Sequence, residues 1–287
     1  MKARLLRNIV VSATILTHCA LSQEEPPAYF GSATEFTGLT GNLYDLKVGS
    51  DGDFTDVAPN GSVKYEECYE AIEDLARKGF RQKDLDEYSI GDTTCDFKAL
   101  AIKYTEASIA PVAFGSPEIK PTGIIIVYKG VVEEAPEEEI RFAGWFDDAM
   151  LVLVNDEVVF YTAWREDKTR YKSKEFGNQR AAKIKETGGL TGIGDAYGEY
   201  IQLKKGDTLQ IVVAEIPGGN IGGTLKVQVK DKHYKDDKHD DPILHPFVAG
   251  ELSRDDEKVL EESGIEFDLR QIPEFKFSTG APAPEEE

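Results

Sequence analysis

Residues 141–155 read RFAGWFDDAMLVLVN, two largely apolar runs separated by a pair of aspartates. Each run has the length and composition of a β-strand, and the Asn-Asp-Glu segment that follows has the composition of a hairpin turn. Strands are therefore predicted over 139–145, 149–154 and 158–162, with the turn at 155–157. Strands this closely spaced indicate antiparallel pairing rather than alternating β and α units.

The same pattern extends in both directions along the chain. Further strands are predicted over 43–47, 97–104, 122–128, 198–203, 208–214 and 225–229. One helix is predicted over 63–78, because Tyr65, Cys68, Ile72 and Leu75 repeat at helical spacing after an Asn60-Gly61-Ser62 cap. The predicted fold class is all-β, mainly antiparallel, a β-sandwich or barrel with one short helix in an N-terminal extension.

The N-terminus has the three parts of an export signal. Basic residues precede a short apolar run, and Ala20-Leu21-Ser22 places small residues at a cleavage site. The predicted organisation is a signal peptide over 1–22, an extended segment over 23–40, a β-domain over 41–250 with a polar insertion over 165–186, and a C-terminal extension over 251–287 with a disordered acidic tail. The protein is expected to be secreted, periplasmic or on the cell surface.

Charge and hydropathy exclude several partners. The 287 residues include 33 basic and 53 acidic side chains, a formal charge of −20. Nucleic acids and anionic membranes both require a basic surface, so neither is expected as a partner. Beyond the N-terminus no run of about 18 apolar residues occurs, so no membrane insertion is expected after signal removal.

Two cysteines, Cys68 and Cys95, remain once the signal is removed. An exported protein favours a disulfide between them, whereas the alternative is a pair of buried thiols. The sequence leaves both open because it does not supply the geometry that a disulfide needs.

Several segments resemble the protective-antigen-like domain (the PA-fourteen family), a β-barrel or sandwich of secreted lectins, adhesins, glycosidases and toxins. Residues 142–155 are similar to its core F-x-G-x-x-D-D-x-x-x-V-x-V-N, and 215–220 to its G-E-x-P-G-G turn, with Ala214 in place of the glycine. Segments 44–47, 110–114, 128–130 and 241–247 resemble a version of the domain found in secreted bacterial proteins. The resemblance implies two aspartates joined by a cis peptide that hold calcium for sugar hydroxyls, with an asparagine from a later loop.

These implied ligands are Asp147, Asp148 and Asn220. Adjacent side chains of an extended segment point to opposite faces, so the two carboxylates converge on one ion only with an unusual backbone, such as a cis peptide. Carboxylate, amide and carbonyl oxygens suit calcium better than zinc, and Gly218 and Gly219 allow a ligand to approach closely. The alternative is that both aspartates simply end a strand and accept hydrogen bonds from loop amides.

Exposed aromatic rings are candidate platforms for a sugar. Trp145 and Trp164 are the candidates, although large aromatic residues in β-proteins more often pack in the core. Because Trp145 and Phe146 are adjacent, only one of them faces the core, and Phe146 is favoured for it. His233, His239 and the acidic residues around them match no zinc pattern and are expected to form a solvated charged run.

The sequence contains no nucleophile elbow, zinc-protease helix, phosphate loop or dinucleotide fingerprint, so no enzymatic activity is predicted. The first functional hypothesis is an exported, calcium-dependent, lectin-like module that binds a glycan or polysaccharide, as in adhesion. The alternative is a structural or interaction subunit of a cell-envelope or extracellular assembly, with a protein partner or self-association. A weaker idea is an accessory subunit of a secreted glycosidase.

Overall fold

The computed structural model describes residues 30–31, 36–163, 195–216, 218–236, 239–265 and 267–279. Within these ranges the chain forms fifteen strands and four helices. The strands are β1 Thr40–Gly49, β2 Tyr88–Ile90, β3 Cys95–Asp96, β4 Ala101–Glu106, β5 Ile124–Glu134, β6 Ile140–Asp147, β7 Ala149–Val154, β8 Glu157–Ala163, β9 Ala196–Tyr197, β10 Thr208–Glu215, β11 Asn220–Val229, β12 His233–Asp236, β13 His239–Pro242, β14 His245–Pro246 and β15 Lys276–Ser278. The helices are α1 Tyr65–Arg77, α2 Gln82–Leu85, α3 Ile109–Ala113 and α4 Arg254–Glu262.

Two antiparallel sheets make up the architecture. The larger has the strand order β2-β1-β5-β10-β7-β8, with β3 added to β1 and β15 added to β5. The smaller has the order β14-β11-β6-β9, with β4 added to β11, and β12 and β13 form a separate hairpin. The all-β, mainly antiparallel prediction is confirmed, and the two sheets form a sandwich.

The alternation of side chains along β7 separates two apolar clusters. Met150 and Val152 belong to the cluster between the two sheets, where they meet Phe142 and Phe146 of β6. Leu151 and Leu153 belong to a second cluster on the outer face of the larger sheet. Because both faces of β7 are buried, its sequence is a continuous apolar run rather than an alternating one.

Helix α1 covers that outer face. The predicted helix is confirmed in place, and Cys68, Ile72 and Leu75 of its predicted apolar face are buried against the larger sheet, whereas Tyr65 of that face is 38% exposed. Its predicted cap is wrong: the helix begins after Lys64, whose side chain makes no capping hydrogen bond, rather than after the Asn60-Gly61-Ser62 segment.

The helix placement decides the state of the cysteines. Cys68 lies in the cluster between α1 and the larger sheet, whereas Cys95 lies in the cluster between the sheets and donates its thiol to the Ala113 carbonyl oxygen, 3.2 Å away. Both are free and buried. The disulfide interpretation of Cys68 and Cys95 is therefore wrong in this structure, and the buried-thiol alternative is the one observed.

The predicted extension over 251–287 does not lie outside the sandwich. β15 pairs with β5, and Phe275 and Phe277 are part of the cluster between the sheets. Helix α4 begins at a capping box in which Ser253 and Asp256 bond each other's backbone amides. The prediction of a single helix is thus wrong, because α2, α3 and α4 form as well, and the Ser-x-x-Asp spacing was a sequence signal for α4.

Smaller corrections concern three other segments. The strand predicted over 97–104 is shortened at its start, because β4 begins only at Ala101 and Ala99 forms an isolated bridge with Val248. The strand predicted over 198–203 is reduced to the bridge of Ile201 with Ile140 after the short β9. The charged run after residue 230 forms the β12–β13 hairpin. The turn between β7 and β8 is confirmed, with Asn155 and Asp156 at φ of 50° and 66°.

Several predicted features lie outside the described residues: the signal peptide over 1–22, most of the segment over 23–40, Trp164, the insertion over 165–186 and the end of the acidic tail. In the part of the chain that is described, none of the helices has the length and apolar character required to cross a bilayer.

Candidate functional site

The double aspartate lies where the chain crosses from one sheet to the other. Asp147 ends β6 and pairs with Gly222 of β11 in the smaller sheet, whereas Ala149 begins β7 and pairs with Ala214 of β10 in the larger one. The peptide bond between Asp147 and Asp148 is cis. The Asp148 amide donates to the Ala214 carbonyl oxygen at 3.1 Å, which ties the crossing to β10.

The two carboxyl groups converge. They are in hydrogen-bond contact with each other, and Asp148 is only 6% exposed. Burial raises the pKa of Asp147, although hydrogen bonds from Tyr104 and from Asp148 oppose that shift. Asp148 Oδ2 also accepts the Ile216 amide at 2.7 Å. Two acidic groups in contact at a partly buried position favour a shared proton or a bound cation, since either one relieves their repulsion.

A tyrosine of helix α1 lies near this pair. Tyr69 is 6% exposed, and its pKa is raised first by burial and then by nearby acidic groups, of which Asp148 contributes most and Asp147 less. Tyr69 therefore lies within electrostatic range of the two carboxyl groups.

Glu215 adds a third acidic group to the neighbourhood. It is 2% exposed; burial, followed by the charges of Asp148 and Asp147, raises its pKa to about 10. Its Oε1 accepts the Gly218 amide at 2.9 Å, and its Oε2 has no hydrogen-bond partner. Glu215 belongs to the segment that resembles the glycine-rich turn, but no role is predicted for it from the sequence; its position just before the two glycines is the signal that could have found it.

Asn220 is linked to Asp147 by hydrogen bonds through Tyr104, a residue that was not predicted from the sequence. The Tyr104 hydroxyl is hydrogen-bonded to both Asp147 and Asn220, and its pKa is raised by burial and by the Asp147 charge. No local motif marks Tyr104 in the sequence, because it comes from β4, more than forty residues before the aspartates.

The glycine-rich turn is held against the same side of the molecule. Gly218 and Gly219 have φ of +79° and +110°, conformations that favour glycine, and the Ala107 amide donates to the Gly219 carbonyl oxygen at 2.9 Å. A Cβ atom on Gly219 would meet no atom within 4 Å, so the turn is open on that side. Gly218, in contrast, packs directly on Thr122.

Of the two candidate tryptophans, the structure describes one. Trp145 is half-buried, while Phe146 is fully buried in the cluster between the sheets, as predicted. A Cβ atom on Gly222 would lie 3.2 Å from Trp145 Cη2 and 3.0 Å from Tyr104 Cδ2. The two rings therefore flank the glycine that pairs with Asp147. Trp164 lies outside the described residues.

The donors at the pair are all oxygens. Among the residues that the structure describes, no three His, Cys, Asp or Glu side chains are placed to hold a metal ion together. Any ion at this position would be bound by Asp147 and Asp148, with further oxygens from an amide such as Asn220 or from backbone carbonyls. Such a donor set fits a hard cation of the calcium type, and it lacks the nitrogen and sulfur ligands typical of zinc.

No family model and no curated protein sequence matches the chain. Solved structures do. The chain is similar to a PA14 sugar-binding domain from an RTX adhesin, at 17% identity and a TM-score of 0.36 over 69% of this chain and 93% of that one. It is also similar to the PA14 domain of the antifreeze protein MpAFP, at 12% identity and a TM-score of 0.38 over 75% and 87%.

A third similar structure is the epithelial adhesin 6 A domain from Candida glabrata in complex with Galβ1-3GlcNAc, at 11% identity and a TM-score of 0.36 over 79% of this chain and 94% of that one. PA14 domains are thus among the structures that the chain resembles, in agreement with the resemblance seen in the sequence.

Proposed function

We propose that this protein is an exported, non-catalytic carbohydrate-binding module that holds a calcium ion at Asp147 and Asp148, with Asn220 as a further oxygen donor. A glycan would bind through its hydroxyl groups at the ion, next to the Trp145 ring. When bound, the ion supplies a site that the oxygen atoms of sugar hydroxyl groups can coordinate directly.

The observation that carries this proposal is the contact between the two carboxyl groups. Asp147 and Asp148 lie against each other at the sheet crossing, and burial raises the pKa of Asp147. Burial, and then the charges of these two residues, raise the pKa of the nearby Glu215 and favour its neutral form, which supports a demand for positive charge at the pair itself. A hard divalent cation satisfies this demand with the oxygens that are present.

The remaining chemistry suits binding rather than turnover. The half-buried Trp145 next to Asp147 supplies an aromatic face for a sugar ring. The sequence carries none of the catalytic motifs considered above, which supports a non-enzymatic role. Export is supported by the signal-like pattern of residues 1–22.

The first test is calorimetric titration of calcium into the metal-free protein. We expect saturable binding near one ion per chain, and its loss in both Asp147→Asn and Asp148→Asn, which remove charge while keeping size. The matched control is Asp255→Asn, which removes one negative charge from an exposed position in α4. Absence of saturable binding, or equal loss in the control, would refute the calcium site.

The second test is a glycan array, probed with calcium and then with excess chelator. We expect calcium-dependent binding to one class of glycan. Binding that survives the chelator would place the sugar elsewhere. The alternative of an assembly subunit stays a prediction, because its expected contact segments, most of 23–40, the 165–186 insertion and the acidic tail, lie outside the described residues.

A further inference from the structure

Tyr104 combines surface exposure with an engaged hydroxyl group. Its residue is 44% exposed, yet its hydroxyl is engaged by two other side chains, Asp147 and Asn220. These are two of the proposed calcium ligands, and they come from different strands, β6 and β11. Tyr104 is therefore the side chain that connects them.

A bulge between β4 and β11 brings the ring to this position. Ile221 pairs with Thr105, but the next pair joins Gly223 to Ile102, so two residues of β4 face the single Gly222 of β11. A bulge redirects the side chain of the extra residue and is common beside binding sites. Here it directs Tyr104 over Gly222, where a Cβ atom would be only 3.0 Å from the ring.

The groups that meet at the Tyr104 hydroxyl are chemically complementary. A hydroxyl can donate to the Asp147 carboxylate and accept from the Asn220 amide nitrogen at the same time. In that arrangement Asn220 Oδ1, which is the atom that calcium can bind, is left for the ion.

We infer that Tyr104 is a positioning residue of the site, whose hydroxyl orients Asp147 and Asn220 toward one cation and whose ring, beside Trp145, extends the surface for a sugar. The inference rests on the proposed function. Residues that orient metal ligands from behind typically change metal affinity about 10–100-fold when they are removed.

The experiment compares Tyr104→Phe, which removes only the hydroxyl, with Tyr104→Ala, which removes the ring as well. Calcium titration of Tyr104→Phe is expected to show an affinity at least about 10-fold weaker, with the metal-free melting temperature close to that of the wild type. At saturating calcium, Tyr104→Phe is expected to regain glycan binding on the array, whereas Tyr104→Ala is not.

The matched control is Tyr200→Phe. Tyr200 is a partly exposed tyrosine whose ring lies 4.8 Å from the Arg141 guanidinium, at the opposite end of β6 from Asp147. It should leave calcium affinity unchanged. Wild-type affinity in Tyr104→Phe would overturn the inference and leave the proposed function standing, whereas a wild-type protein that binds no calcium would overturn both.

Discussion

At the scale of single residues, the acidic groups near the sheet crossing are the most unusual feature of the molecule. Glu215 is 2% exposed with one oxygen unpartnered, and its pKa is raised to about 10 by burial and by the charges of Asp148 and Asp147. A buried carboxyl group with this environment favours its neutral form, since a charge removed from water and placed near two others is costly.

This shift predicts how the stability of the metal-free protein depends on pH. The pKa of Glu215 is raised from its ordinary value of 4.5 to about 10 in the folded protein, so between these two pH values the folded chain binds more protons than the unfolded chain. The stabilisation is fully present below about pH 4.5 and is lost as pH rises toward about 10. In chelator, this contribution of Glu215 should therefore decrease as pH increases.

Glu215→Gln removes the titration while keeping the oxygen that accepts the Gly218 amide. We expect its melting temperature at about pH 8 to exceed that of the wild type by at least about 2 °C, and the difference to shrink toward about pH 5. Glu138→Gln, at an exposed position, is the control and should show neither effect. A variant that is less stable than the wild type at the higher pH would contradict the prediction.

At the scale of elements, α1 and the larger sheet determine the chemistry of the cysteines. Burial raises the pKa of the Cys68 thiol to about 12 and that of the Cys95 thiol to about 11. The thiolate is the reactive form, so both thiols should be unreactive in the native protein.

Alkylation with iodoacetamide at about pH 8, followed by peptide mass spectrometry, checks this expectation. Neither Cys68 nor Cys95 should be labelled in the native protein, and both should be labelled after denaturation without a reductant. The exposed position in Ser50→Cys serves as a control that the reagent is active. If both cysteines resist labelling in denaturant until a reductant is added, they form the disulfide that the structure lacks.

At the scale of the whole molecule, residues from near the N-terminus and from the C-terminal region close the same core. The Tyr128 hydroxyl of β5 donates to the Phe30 carbonyl oxygen at 2.6 Å, and Phe30 belongs to the cluster between the sheets. Phe275 is fully buried there and lies 4.9 Å from Phe247, measured between ring centroids. The sandwich thus includes chain well before residue 41 and after residue 250.

Phe275→Ala is predicted to lower the free energy of unfolding by about 3–5 kcal/mol, because a fully buried ring is replaced by a cavity. Phe36→Ala makes the same substitution at a residue that is 74% exposed and should change it by less than about 0.5 kcal/mol. Chemical denaturation of both variants measures the difference. A small effect of Phe275→Ala would mean that residues after 250 form an appendage, as the sequence analysis supposed.

Much of the site could be predicted from the sequence because its central residues are neighbours along the chain. Asp147 and Asp148 lie between two apolar runs of strand length, and that pattern alone places them at a strand end. Trp145 and Phe146 follow from the two-residue period of a strand, which puts one of them in the core. Asn220 was predicted as a ligand because it follows a glycine-rich turn and because the family resemblance implies an asparagine from a later loop.

Tyr104 and Glu215 could not be predicted in the same way. Tyr104 reaches Asp147 only through the register of β4 on β11 and its bulge, and neither follows from local composition. The acidity of Glu215 depends on which side chains surround it rather than on its position in the turn. Helix α4 could have been predicted from the capping box at Ser253, but it was missed. The burial of β15 could not be predicted locally, because it depends on the pairing of β15 with β5.

By itself, the sequence determined that this chain forms an antiparallel β-protein with one amphipathic helix near its start and a double aspartate between two central strands. These are consequences of local periodicity and turn chemistry, which act over a few residues. Only the tertiary structure decided that α1 separates Cys68 from Cys95, that Phe275 belongs to the core, and that Tyr104 joins Asp147 to Asn220. Those contacts depend on strand order and register, which bring together residues that are distant along the chain.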